Sequence, residues 1–121
     1  IRDRFEIVRD VRGLGLMWAL ELGPPSGRTA RLVWEAIERR QPGLFAQLVI
    51  VPLFRDHRIL TQVAGHHMNV IKVLPPLIID EADLRRFVDA LEQVLESAEG
   101  HMLRRYASLG MDMGLRSLAS R

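Results

Sequence analysis

The stretch VIKVLPPLIIDEADLRRFVDALEQVLE, Val70–Glu96, decides the fold. It opens as a β-branched strand and halts at Pro75 and Pro76, whose rings fix φ and remove two successive N–H donors. Beyond the prolines the period changes. Leu84, Phe87, Val88, Leu91, Val94 and Leu95 recur at helical spacing, so a helix with one apolar stripe follows. Asp80 or a residue beside it can cap the helix, and Asp80 and Asp83 put negative charge at its positive end. Lys72, the only lysine in the chain, sits inside the strand.

Upstream, Ile59–Val63 and Val70–Leu74 flank AGHHMN, whose glycine and asparagine favour a turn, so the two runs read as a hairpin-like strand pair. Before them, LFAQLVIVPLFRDH places Leu44, Leu48, Val51 and Arg55 at helical spacing, which favours a helix kinked near Pro52, although its β-branched centre and Pro52 would also suit a strand. GPPSGR, 23–28, is a loop, after which Thr29 is read as the cap of a helix to about Arg39. Leu32, Val33, Ala36 and Ile37 form its expected buried side. Glu6–Val11 alternates charged and apolar residues as a half-buried strand, Gly13 and Gly15 suit a tight bend, and Leu16–Leu22 resumes in extended form. Ile1–Phe5 reads as the tail of a helix, and the helix after Asp80 is expected to end near Gly100, with pattern lost at Gly110 and Gly114.

Composition narrows the function classes. With 121 residues, 48% of them hydrophobic, the chain can bury one core, and the longest apolar run, Leu44–Phe54, is too short to span a bilayer. The absence of cysteine removes disulfides and thiolate metal sites and is compatible with a cytoplasmic setting. The formal charge is only +2, and the arginines alternate with acids as in RDRFEIVRD, which favours a solvated, ion-paired surface over a nucleic-acid-binding face. His66 and His67 would point to opposite faces of a strand, and His57 and His101 add no ligand spacing, so no metal site is expected. GLG at Gly13–Gly15 is half of a phosphate loop, with Trp18 where a third glycine would stand, and no serine occupies a nucleophile elbow.

Taken in order, VRGLGLMWALEL, a helix, and HRILTQVAGHHMNVIKVLPPLIIDEADLRRFVDALEQVLE resemble the C-terminal small domain of class III (fold-type I), pyridoxal-phosphate-dependent aminotransferases. The bend at Arg12, Gly13 and Gly15 and the strand, double proline and capped helix carry the likeness, over about residues 1–99. The resemblance implies an α+β domain, a small, mainly antiparallel sheet with helices packed on one face. Residues 100–121 would be a helical extension or tail. It also implies a parent enzyme in which a large upstream domain holds pyridoxal phosphate and its Schiff-base lysine, usually as a homodimer acting on a small amine or amino acid. No cofactor, catalytic or metal-binding residue is assigned within this chain. The start at Ile1, without an initiating methionine, also reads as part of a longer polypeptide.

Family members place an arginine in the pattern R-x-x-P-P, where its planar fork grips a substrate carboxylate. Lys72 stands in that position and is the candidate substrate-binding residue. A lysine supplies a point charge without the fork, which implies a carboxylate held differently or an amine donor lacking one. The competing expectations are that Lys72 simply faces solvent, and that the chain is a free-standing interaction or oligomerisation module.

Overall fold

Gly15 makes the first reversal of the chain. In the computed structural model, which describes residues 1–119, with side chains described for 1–102 and 104, Gly15 has φ +58° while Leu16 stays out of the left-handed region. Glycine at the first of two loop residues suits the right-handed twist of a tight hairpin. The loop joins β1 (Val8–Leu14) to β2 (Met17–Leu22), paired from Leu14 opposite Met17 to Val8 opposite Leu22. A bulge between Val8 and Asp10 resets the alternation, so Val8 points into the core while Asp10 and Arg12 face outward.

After α1 (Arg28–Arg40) and α2 (Leu44–His57), the chain returns as β3 (Gln62–Val63) and β4 (Val70–Val73) before α3 (Glu81–Ala119). The four strands lie in the order β1-β2-β4-β3, every neighbouring pair antiparallel. This is the expected α+β architecture. Leu20, Leu22 and Ile71 on the inner face join Val33, Trp34, Phe45, Val49, Leu53, Leu91 and Leu95 of the helices in one buried cluster. Leu53 and Leu95 are 0% exposed, and such a leucine contributes about 1.5–3 kcal/mol by leaving water. Trp34 and Phe45 stack with centroids 3.5 Å apart and planes 6° from parallel, fixing α1 against the start of α2.

Several local expectations are corrected. Ile1–Phe5 forms one turn, closed by N–H donation from Arg4 and Phe5 to the Ile1 carbonyl. Helix α1 begins before Thr29, with Gly27 at its N-cap and no side-chain cap. Its buried face carries Val33 and Trp34, while Leu32 and Ala36 are exposed, because Trp34 turns inward to meet Phe45. Helix α2 does contain Pro52, but Leu48 and Val51 lie on its exposed side, and Phe45, Ala46, Val49 and Leu53 are the buried set. Pro52 deprives the Leu48 carbonyl of its usual donor, a loss tolerated on the water-facing side. Helix α3 passes through Gly100 without ending. One interior glycine costs about 1 kcal/mol relative to alanine, too little to stop a helix fixed by its apolar face. The expected loss of pattern at Gly110 and Gly114 falls on residues whose side chains lie outside the described set.

Two caps hold the helices that flank β4. The Asp80 carboxylate accepts from the Asp83 N–H at 2.8 Å, which makes Asp80 the cap among the residues at that position. Asn69, in the turn before β4, accepts from the Ala46 N–H at 3.0 Å, while its carbonyl accepts from the Leu22 N–H at 2.8 Å. One turn residue thereby joins the start of α2 to the end of β2.

Candidate functional site

Lys72 lies at the centre of the outer sheet face. Its neighbour Ile71 is 1% exposed and faces the helices, so the pleat sends Lys72 to the opposite side. It is directly opposite Ala19 on β2 and Gln62 on β3, and Arg12 on β1 is opposite Ala19. Arg12, Ala19, Lys72 and Gln62 therefore form one row across the sheet. Lys72 is half-buried, and its side chain makes no hydrogen bond or ion pair among the described residues.

The other cation in that row is already engaged. Arg12 Nη1 donates to Glu21 at 2.6 Å and to Asp10 at 3.0 Å, and these carboxylates raise the arginine further above its ordinary pKa. Both acids face outward beside it, so the charge of Arg12 is locally answered while that of Lys72 is not.

Lys72 borders two hollows. A cleft of about 410 Å³ runs past Leu74, Pro75 and Pro76 to the first turns of α3, where Asp83 and Phe87 close it. A second, of about 420 Å³, is lined only by Leu60, Thr61, Gln62, Lys72 and Leu74. The walls are mainly apolar; the first cleft carries the Asp83 carboxylate at its α3 end, and the second holds ammonium, amide and hydroxyl groups with no acid. Such a surface suits a small anion with an apolar body. The Thr61 hydroxyl oxygen is shielded from solvent and has no partner among the described residues. Arg86 braces the far wall by donating to the His57 carbonyl at 2.8 Å.

The histidines do not join this site. His66 and His67 sit in the turn before β4, not on a strand, and their rings touch at 3.6 Å between centroids. His101 contacts the Ser97 carbonyl one helical turn away. Among the described residues no group of three or more histidines and acids could hold a metal ion, and no helix is long and apolar enough to cross a membrane. Gly13–Gly15 lies at the hairpin that joins β1 to β2. Gln62 and Thr61 are the site residues that sequence reading missed. Alternation could place Gln62 on a strand face, but only the register of β3 on β4 puts it opposite Lys72.

No family model matches the chain. Among curated proteins, the chain is 30% identical over 95 residues to ethanolamine-phosphate phospho-lyase homolog 1 of Caenorhabditis elegans, covering 78% of this chain and 18% of that protein. It is 28% identical over 99 residues to the 4-aminobutyrate aminotransferase GabT of Escherichia coli K12, covering 82% and 21% respectively. The chain thus spans about a fifth of the length of these relatives. Among solved structures, a transaminase from the marine bacterium Virgibacillus superposes with TM-score 0.63 at 24% identity, over 84% of this chain and 21% of that one. The structural likeness supports the fold.

Proposed function

The chain belongs to the class III aminotransferase family, and from that membership we propose that it is the C-terminal small lobe of a pyridoxal-phosphate-dependent transaminase. The intact enzyme would move an amino group between an amine or amino acid and a carbonyl acceptor. Residues 1–99 would form the lobe and 100–121 a helical extension or tail, with the parent enzyme a homodimer in the cytoplasm. The observation that carries this reading is the position of Lys72, three residues before Pro75 and without a carboxylate partner on the outer sheet face.

The residues around Lys72 do not fit a cofactor site of their own. Ala19 and Gln62 offer no carboxylate for a pyridine nitrogen, Asp10 and Glu21 are engaged by Arg12, and Asp83 stands across the cleft in the first turn of α3. We therefore assign pyridoxal phosphate and its Schiff-base lysine to the rest of the parent enzyme, and no chemical step passes through Lys72.

The contribution of the lobe is binding and enclosure. Lys72 holds a substrate carboxylate by charge, and the apolar walls exclude water around it. Leu77 and Ile78 are 91% and 92% exposed, and Leu60, which lines the same cleft as Ile78, is 81% exposed. A surface this apolar suits packing against the remainder of the enzyme as the lobe closes.

The intact mass and activity of the native polypeptide test the reading. A chain several times 13.8 kDa that exchanges amino groups, and whose Lys72→Ala variant loses affinity for a carboxylate-bearing donor, is the expected result. A native chain of that small mass would return the free-standing interaction module.

A further inference from the structure

We infer that Gln62 completes the anion site of Lys72, supplying from the neighbouring strand the second donor that a lysine lacks and an arginine fork would carry. The inference rests on the carboxylate-binding role proposed for Lys72 and goes beyond it by naming the partner residue and the geometry of recognition.

The register provides the first support. Gln62 and Lys72 are directly opposite each other on adjacent antiparallel strands, and such pairs share a face with Cβ atoms about 4.5–5.5 Å apart. Both line the same hollow. A carboxylate has two oxygens and several lone pairs. One ammonium satisfies its charge but does not fix its plane, whereas two donors arriving from separate points do. The side-chain amide of Gln62 has two N–H donors and no charge, so it adds direction without adding repulsion toward Lys72.

The surroundings leave the pair available. Neither Gln62 nor Lys72 has a side-chain hydrogen bond or ion pair among the described residues. On the other side of Lys72 stands Ala19, whose methyl group cannot donate, and beyond it Arg12 is held by Glu21 and Asp10. Gln62 is therefore the neutral donor in the row closest to Lys72. The ligand class is a carboxylate on an apolar body, seated between the ammonium and the amide with Leu60 and Leu74 beside it.

The experiment is calorimetric titration of the parent holoenzyme with propionate and with its neutral isostere propionamide, in wild type, Gln62→Ala, Lys72→Ala, Lys72→Arg and Lys72→Arg/Gln62→Ala. The expected result is that Gln62→Ala weakens propionate about tenfold and leaves propionamide unchanged. In the Lys72→Arg background the same change costs less than about threefold, because the fork already carries two donors. Loss of propionate binding in Lys72→Ala with none in Gln62→Ala overturns the role of Gln62 and leaves that of Lys72 standing. No loss in either variant, or no propionate binding by wild type, overturns both. An equal loss in the lysine and arginine backgrounds, or a parallel loss of propionamide, marks Gln62 as structural and overturns the inference.

Discussion

The indole of Trp18 occupies the space in which residue 13 would carry a side chain. A Cβ on Gly13 would lie 2.7 Å from Cε3 of Trp18 and 2.5 Å from the Met17 carbonyl oxygen. The two residues are opposite each other on β1 and β2, and Trp18 Nε1 donates to the Gly15 carbonyl at 2.8 Å, locking the ring over the hairpin. Gly13 is thus required for close approach and Gly15 for its positive φ. Gly13→Ala should lower stability by about 1–3 kcal/mol through forced displacement of the indole and of backbone. Denaturant unfolding checks it. An unchanged midpoint would show that the hairpin opens at no cost.

The double proline, the acidic helix start and the spacing of Phe87, Leu91, Val94 and Leu95 made β4 and α3 legible from local residues, although Leu84 and Val88 of the same stripe are exposed, and Gly13 and Gly15 marked the hairpin. The rotation of α1 was not legible, because Leu32 and Trp34 are both apolar and the stack on Phe45 chooses between them. The same holds for α2, in which nearly every residue is apolar and sequence spacing alone selected its exposed side. Lys72 stood out by its identity. Gln62 could not, since its significance comes from strand register, a relationship between segments.

Arg58 closes α2 with φ +59°, a left-handed conformation that L-residues adopt at a cost of about 1–2 kcal/mol. The bend lets the Ile59 N–H reach the Leu53 carbonyl at 3.0 Å. Arg58→Gly removes the strain but frees the unfolded chain, which offsets about 0.4–1 kcal/mol. The net expectation is a gain of about 0.5–1 kcal/mol, seen as a higher denaturation midpoint with unchanged slope. A loss would mean that the arginine side chain holds the turn.

Asn69→Ala removes the acceptor for the Ala46 N–H at a part-buried helix start. The cost should be about 1–2 kcal/mol, with Asn69→Asp retaining most of the stability because its carboxylate still accepts. Amide exchange locates the effect: faster exchange at Ala46 in the alanine variant supports the cap, and unchanged protection there would refute it.

Arg55 engages both oxygens of Asp56, Nε to Oδ1 at 2.7 Å and Nη2 to Oδ2 at 2.8 Å. This pairing holds the Asp56 carboxyl below its ordinary value of 3.8. A folded-state value below the unfolded one stabilises the fold above about pH 3.8, and the contribution disappears as pH falls through the lowered value. Carboxyl NMR titration should place the Asp56 midpoint below 3.8 in wild type and nearer 3.8 in Arg55→Ala. Identical midpoints in the two proteins would show that the pair does not persist in solution.

Arg12 bears on the proposed site through what it restrains. Glu21 is opposite Asp10 on β1 and Val70 on β4, two residues along from Lys72, which makes it a diagonal neighbour of Lys72 on the outer face. Diagonal pairs lie within reach of long side chains. In the native protein the Glu21 carboxylate bonds to Arg12 at 2.6 Å. Arg12→Ala removes that partner and leaves Glu21 free to swing toward Lys72, where it would compete with a substrate carboxylate. The expected outcome in the parent enzyme is a several-fold rise in KM for a carboxylate-bearing donor, with kcat little changed and a carboxylate-free amine unaffected, since exposed ion pairs of this kind exchange for about 1 kcal/mol or less. The double variant Arg12→Ala/Glu21→Gln should restore the native KM because the competing charge is gone. If the double variant remains as impaired as Arg12→Ala, Arg12 acts by shaping the hairpin rather than by holding an acid away from Lys72.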